Sequence, residues 1–490
     1  MAKVTKSESK KSILQKQESG LVKFHLNDVL SPTIQVWIGV AFIFAVFVAY
    51  LSPLLFGGKT FVSGDIQTFN SYVTFLGQDR DDIPLWNPYI FGGMPSYSIS
   101  VGHIWFNFIY VAFTAIRDVY SMPFEQEYVK WTFYIILLAI NSFFLIRYLT
   151  KNTLISLFGG LSTGLSTGIM LFLFIGHVTK LTSIAWFPLV LLVLFRMQDK
   201  VRAFDFFALV VIVQLMIQGF HVQVIFYLVL AITLYYLFFF VRELITKDKV
   251  KLFGLFKSAG AFAAAIVLAV LIQSDSLTQV YEYTPYSTRG QQSLVEKSGT
   301  AEDESSIQYY DYHTQWSFSI GEIATFVVPS YYGFGHSTYQ GDLTQGNAVP
   351  VNTYFGQMEF VDLPMYMGVL VFFLGLYGVW AGRKNPLVQY LGLVTLFALL
   401  LSFGKNFALV FDPMFHLFPY FNKFRVPSMA LILVQLMFPI LASLGLFSVY
   451  EQWKNKDTRD IKTLKILAYI SGGLFVAVLL FNSVISDSAG

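Results

Sequence analysis

The stretch IQVWIGVAFIFAVFVAYLSPLL, Ile34 to Leu55, decides how the rest of the chain reads. It contains no charged residue, and a helix of that length crosses a hydrocarbon core of about 30 Å. The Lys- and Ser-rich segment before it, Met1 to Gly20, is too long and too basic for the n-region of a cleaved signal. No small-residue cleavage site follows the apolar block, which therefore reads as a first, uncleaved span.

Working outward, similar apolar blocks recur at about 130–149, 153–175, 181–196, 203–219, 222–241, 253–273, 364–381, 386–403, 427–449 and 464–484. Hydrophobic residues make up 55% of the chain and charged residues 13%, against about 25% charge in a soluble domain. The expected fold is an all-α polytopic membrane protein with about eleven transmembrane helices. With no cysteine, disulfides, thiolate metal sites and a cysteine nucleophile are excluded. A net charge of +3 gives no footprint for nucleic acid, and no internal repeat of the kind that builds many transporters is evident.

The distribution of the positive charges orients the chain. If residues 1–33 are a cytoplasmic tail, the turns near 150, 200, 245 and 383 and the segment 450–463 also lie inside. These segments and the adjoining helix ends hold 23 of the 33 Lys and Arg, although they are the shorter connections, as the positive-inside rule requires. The long segments 55–129, 274–363 and 404–426 then fall outside. Within the first of these, Ile104 to Ile116 is apolar but too short to span and could lie in the interface or re-enter the membrane.

Candidate chemistry gathers on these outer segments. Ser63-Gly64-Asp65 follows the first span; the Asp65 carboxylate could act as a general base or hold a divalent cation, and the triplet also reads as a turn or helix N-cap. The segment Pro84 to Pro95 carries Trp86, Asn87 and Tyr89 in a rigid, Pro- and Gly-rich frame. Its aromatic rings could stack on a sugar face or anchor in the interface. Asp79, Arg80, Asp81 and Asp82 read as a solvated turn. His177 and Lys180, three residues apart at a helix end, could bind a phosphate, or Lys180 could snorkel; the spacing is not a zinc pattern. His221 and Gln223 occupy the next such turn. Arg289, within Ser287-Thr288-Arg289-Gly290, could pair with phosphate. Glu322, in Trp316-Ser317-Phe318-Ser319-Ile320-Gly321-Glu322, could sit at a membrane-facing cleft. Arg425, in Asn422-Lys423-Phe424-Arg425-Val426-Pro427-Ser428, opens a helix against its dipole, which a local anion would offset, or it snorkels to headgroups.

Taken together and in order, these blocks resemble the YfhO family of bacterial membrane proteins; W-N-P-Y-I-F-G-G-M-P and K-F-R-V-P-S are the specific ones. The resemblance implies a GT-C-like transmembrane domain over 34–484, with 485–490 at the outer end, in the bacterial inner (cytoplasmic) membrane. It also implies a glycosyltransferase that takes sugar from a polyprenyl-phosphate carrier on the outer face and passes it to a glycan, polymer or protein acceptor of the cell envelope. On that reading Asp65 matches the acidic residue of the first outer loop that is the usual catalytic candidate, with Glu322 as a second carboxylate. His177, Lys180, Arg289 and Arg425 supply cationic groups for the lipid-linked donor, and Trp86, Asn87, His221 and Gln223 complete the substrate-binding set. Family members run on into a further extracytoplasmic region, so a chain ending at Gly490 is expected to be a shortened one. A transporter or flippase of a lipid-linked substrate and a non-catalytic membrane scaffold are the alternatives. Few polar residues, Gln214 and Gln218 among them, fall near mid-membrane to line a transport path.

The orientation is testable directly, because the chain lacks cysteine. A single cysteine introduced at Trp86 is expected to react with an impermeant maleimide in intact cells, and one at Lys247 only after permeabilisation. The reverse pattern would invert the topology.

Overall fold

The computed structural model describes residues 30–76, 84–89, 92–96, 107–287, 309–333, 335, 337–358 and 365–455, with scattered positions between 462 and 480. The order of its principal helices is α1 (Pro32–Tyr50), α2 (Gly64–Leu76), α3 (Phe108–Ser121), α4 (Thr132–Thr150), α5 (Thr153–Gly164), α6 (Thr167–Ile175), α7 (Val178–Ile184) and α8 (Phe187–Asp199). After these come α9 (Ala203–Gln218), α10 (Val222–Thr246), α11 (Lys249–Ile272), α12 (Ser274–Tyr283), α13 (Val369–Ala381), α14 (Pro386–Ser402), α15 (Ala408–Leu417) and α16 (Leu431–Lys454). Among the described residues, strands are confined to two antiparallel ribbons: β1 (Trp86–Asn87) with β2 (Met94–Pro95), and β3 (Ser337–Tyr339) with β4 (Val349–Val351).

The protein is thus an all-α assembly with apolar helices suited to a membrane, but the number of spans differs from eleven. Among the described residues six helices are long and apolar enough to cross, or up to eight if each of two bent pairs counts as one span. Of the other expected spans, the region 203–219 forms a helix of 16 residues and 364–381 one of 13, both short of the roughly 20 needed for a bilayer. The region 153–175 bends by 42° between α5 and α6, and the helix from Pro386 turns through 117° at Gly404. The last expected span, 464–484, lies largely outside the described residues. Apolar composition marks burial in lipid or in protein alike, so it overcounts spans wherever short helices are enclosed by others.

Local chemistry sets the helix ends. Ser31 caps α1 by accepting from the Ile34 N–H, with Pro32 at the first helical position. Asn152 and Asp248 cap α5 and α11 in the same way. Before each of these stands a lysine in the left-handed conformation, Lys151 (φ 55°) and Lys247 (φ 56°), closing the preceding helix. The C-terminal end of α6 and the start of the α7–α8 span at Val178 lie at one end of the bundle, and the Lys151 and Lys247 turns at the other. Tyr148 reaches Asp199 at 3.1 Å at that second end.

The core centres on α16, whose first half is almost wholly buried. It packs on α13 through glycine: a Cβ at Gly378 would meet the Leu441 carbonyl oxygen at 2.1 Å, and one at Gly445 the Leu374 carbonyl oxygen at 2.3 Å. Close backbone approach of this kind substitutes for hydrophobic drive between helices in lipid. Gly378→Val is accordingly expected to destabilise the fold by about 1–3 kcal/mol, read as a lower thermal midpoint in detergent. Gly254→Ala on α11, where nothing lies within 4 Å, should not lower it.

Candidate functional site

At the end of the bundle away from Lys151 and Lys247, one cavity of about 430 Å³ opens among elements distant in sequence. Its volume falls in the range of small-ligand sites. His177, Lys180, Glu322 and Arg425 all line it, as do Ser63 and Gly64, the two residues before Asp65.

Each arrives there for a local reason. Ser63 caps α2, accepting from the Ile66 N–H at 3.3 Å, while its hydroxyl donates to the Ile175 carbonyl at 2.6 Å. The Ser-Gly-Asp triplet is therefore a helix N-cap tied to the end of α6, with Asp65 the second residue of α2; the Asp65 side chain lies outside what is described. Gly176 (φ 91°) ends α6, and a Cβ there would meet Ile66 at 2.4 Å, so glycine is required both by the backbone conformation and by space. His177 follows in the N-cap position of α7, and Lys180 places its Nζ 3.0 Å from His177 Nδ1 and 5.3 Å above the Phe172 ring.

Arg425 lines the same cavity from the segment before α16. Its guanidinium lies 4.5 Å from the ring centres of both Tyr312 and Trp316, and it donates to the Tyr312 hydroxyl at 2.7 Å. Its Nε is buried without a hydrogen-bond acceptor among the described residues. Arginine–aromatic attraction holds the group in place, and among the described residues no carboxylate pairs with it.

Glu322 is buried and already engaged. One carboxylate oxygen accepts from the Ser319 N–H and the other from the Tyr354 hydroxyl, both at 2.8 Å. Burial raises the Tyr354 phenol above its ordinary range; the Met358 N–H opposes this and Glu322 reinforces it. The phenol is thereby kept protonated and donating. This pair ties the loop after β4 to the short helical turn Gly321–Phe326 across the cavity.

Much of the cavity lining is apolar, Phe172, Met365, Met429 and Ile432 among it, together with the buried amide of Gln435. Methionine thioethers adapt to flexible apolar ligands. The site therefore joins a cationic rim to an adaptable apolar interior, a chemistry suited to an anion carried on an apolar chain. Among the described residues no group of three or more His, Asp or Glu could hold a metal ion.

Other sequence candidates stand elsewhere. Trp86 and Asn87 form β1 and are not among the cavity's lining residues. Asn87 is buried and accepts from the Tyr89 N–H at 2.9 Å, and Trp86 packs over Gly93. His221 caps α10, accepting from the Val224 N–H. Gln223 reaches the Arg425 carbonyl rather than the cavity. Arg289 lies outside the described residues.

Trp316, Tyr312, Tyr354 and Gln435 complete the site without having been singled out as site residues. Gln435 had a legible signal, a lone amide inside the apolar run Leu431–Leu436. Tyr312 and Tyr354 had none, in a chain with 28 Tyr, and Trp316 stood in the Trp316–Glu322 block without being assigned a role. A scan of protein-family models finds no match to the chain, and a search of curated proteins finds none either.

The Glu322–Tyr354 contact yields a stability prediction. Tyr354→Phe leaves a buried carboxylate oxygen without its donor, a loss of about 1–3 kcal/mol. Chemical or thermal unfolding in detergent is expected to show it, and an unchanged midpoint would mean that water replaces the phenol at no cost.

Proposed function

We propose that this chain is a membrane glycosyltransferase of GT-C-like architecture, akin to the YfhO family. It would move a sugar from a polyprenyl-phosphate carrier to a hydroxyl of a cell-envelope acceptor on the outer face of the bacterial inner membrane, with the N-terminus in the cytoplasm. The observation that carries this reading is the meeting of Lys180, His177 and Arg425, drawn from helices and loops far apart in sequence, at the rim of an apolar cavity beside the Ser63–Gly64 turn. Arg425 adds a guanidinium that has no carboxylate partner, and whose Nε has no acceptor, among the described residues.

In this mechanism the donor phosphate sits at the cationic rim and the start of its prenyl chain lies against Met365, Met429 and Ile432. Asp65 takes the proton of the acceptor hydroxyl as that oxygen bonds to the anomeric carbon. The bond from the anomeric carbon to the phosphate oxygen breaks, and its electron pair leaves with the carrier phosphate. Negative charge grows on the phosphate as the bond breaks, which is where fixed cations lower the barrier. Glu322, held by Tyr354, orders the cavity wall and is, among the described residues, the carboxylate that lines it.

A transporter or flippase of a lipid-linked substrate is the second reading, favoured by one observation. The helix break between α5 and α6 is met by the Gln435 side chain, and discontinuous helices with polar centres are a device of carriers.

Transfer from a polyprenyl-phosphate sugar by purified protein in nanodiscs decides between them. Asp65→Asn is expected to lower turnover by about 10²- to 10⁴-fold without loss of folded protein. Arg425→Ala is expected to weaken donor binding by about tenfold or more, through loss of a charge-assisted contact. Near-normal transfer by Asp65→Asn would shift the base to Glu322. Flipping of the lipid without transfer would select the carrier reading.

A further inference from the structure

We propose that Gln223 is a positioning residue for Arg425: its side-chain amide fixes the turn that aims the guanidinium into the cavity. This rests on the reading of that cavity as a site for a phosphate-bearing lipid.

Gln223 opens the first turn of α10 and is 5% exposed. Its Nε2 donates to the Arg425 carbonyl at 2.6 Å and to the Tyr227 hydroxyl at 3.1 Å. The side chain thus takes up one peptide group of the segment that carries the cation. That segment is under backbone strain. Val426, the next residue, has φ 65° and ψ 76°, the left-handed region that a β-branched side chain avoids, and it precedes proline, which restricts it further. A conformation of this kind persists only where surrounding contacts over-determine it.

Three contacts do so. The Ser428 N–H donates to the Trp316 carbonyl at 3.1 Å, and the Met429 N–H to the Val426 carbonyl at 3.0 Å. Both act on the helical side of the strained residue. Gln223 acts on the other side, at the carbonyl of the Arg425–Val426 peptide itself. With both sides held, the Arg425 side chain leaves the backbone toward Tyr312 and Trp316, and from there borders the cavity. Without the amide, a shielded carbonyl loses its donor and the peptide can rotate to relieve Val426, carrying the guanidinium away from its aromatic pair. The Gln223 side chain is absent from the cavity wall, so any effect on an anionic ligand must pass through Arg425.

Gln223→Met keeps the side-chain length and removes the amide; Gln223→Glu keeps the shape and removes the N–H donor. Tyr227→Phe serves as control, since it removes the other partner of the same amide. Hydrogen exchange of the full chain in nanodiscs, without ligand, is expected to rise several-fold in the peptide covering 424–429 for both Gln223 variants and to stay at the wild-type level for Tyr227→Phe. Binding of a polyprenyl monophosphate should weaken by about three- to tenfold in Gln223→Met, the scale of one hydrogen bond. Binding of the polyprenol of the same length should be unchanged, and the loss should vanish in an Arg425→Ala background. A merely structural staple would affect both lipids and would add to Arg425→Ala. Unchanged exchange at 424–429, or equal loss for both lipids, would overturn the inference. Failure of the wild type to distinguish phosphate from alcohol would overturn the transferase reading instead, and the exchange measurement would still decide the role of Gln223.

Discussion

Inside hydrocarbon a helix satisfies its own backbone, but every interruption must be satisfied by another part of the protein. The interruption on which this architecture turns is the one between α5 and α6. There the Thr167 N–H donates to the Tyr366 carbonyl at 3.2 Å, and Ser166 hydrogen-bonds to Gln435 on α16. Gln435 in turn donates to the Met365 carbonyl at 3.1 Å. Three elements distant in sequence, the broken helix, the segment before α13 and the central helix α16, are joined at one buried polar knot. The cavity lies on that knot, with Gly168, Met365 and Gln435 in its wall. Gly168 leaves room for it, since a Cβ there would meet Met365 and Gln435 at 3.0–3.2 Å.

The rim depends on conformations that ordinary residues avoid. Gly176 and Gly404 both have positive φ, and a Cβ at Gly404 would meet Ser317 Oγ at 2.1 Å. Gly404 is where the chain turns from α14 toward α15, and Ser317 accepts there from the Lys405 N–H. The loop bearing Trp316 is thereby locked against the segment that later delivers Arg425. Strain at Val426 is tolerated in such a frame because the neighbouring contacts are already fixed by helix packing.

Much of this was legible in the residues, and the boundary has a physical basis. Long apolar blocks such as Val222–Thr246 are unmistakable, because lipid and helix length impose one solution. The short helices Ala203–Gln218 and Val369–Ala381 are as apolar and so read as spans; composition does not say whether lipid or protein surrounds them. The cavity residues His177, Lys180, Glu322 and Arg425 stood out because ionisable groups in an apolar chain are costly and few. Gln223 stood out as well, but as a ligand-binding group. Its contact with a main-chain carbonyl 202 residues away leaves no trace in local sequence. Tyr312 was hidden among 28 tyrosines, and Trp316 stood in the Trp316–Glu322 block without a role; only the fold distinguishes aromatic residues that flank a guanidinium from those that fill a core.

Away from the cavity, acidic groups are buried and compensated: Asp205 lies 2.8 Å from Arg196 and 3.5 Å from Arg202, and Glu243 lies 2.6 Å from Arg242. In those pairs the carboxylates are buried while the arginines stay partly exposed. At the cavity, Arg425 is held by two rings and a hydroxyl, with no carboxylate partner among the described residues. Aromatic faces offer a cation on the order of 1–2 kcal/mol, whereas a carboxylate would neutralise it. Arg425, with no carboxylate partner among the described residues, lines the same cavity as Lys180 from a strained turn, and the proposed recognition of an anion draws on that arrangement.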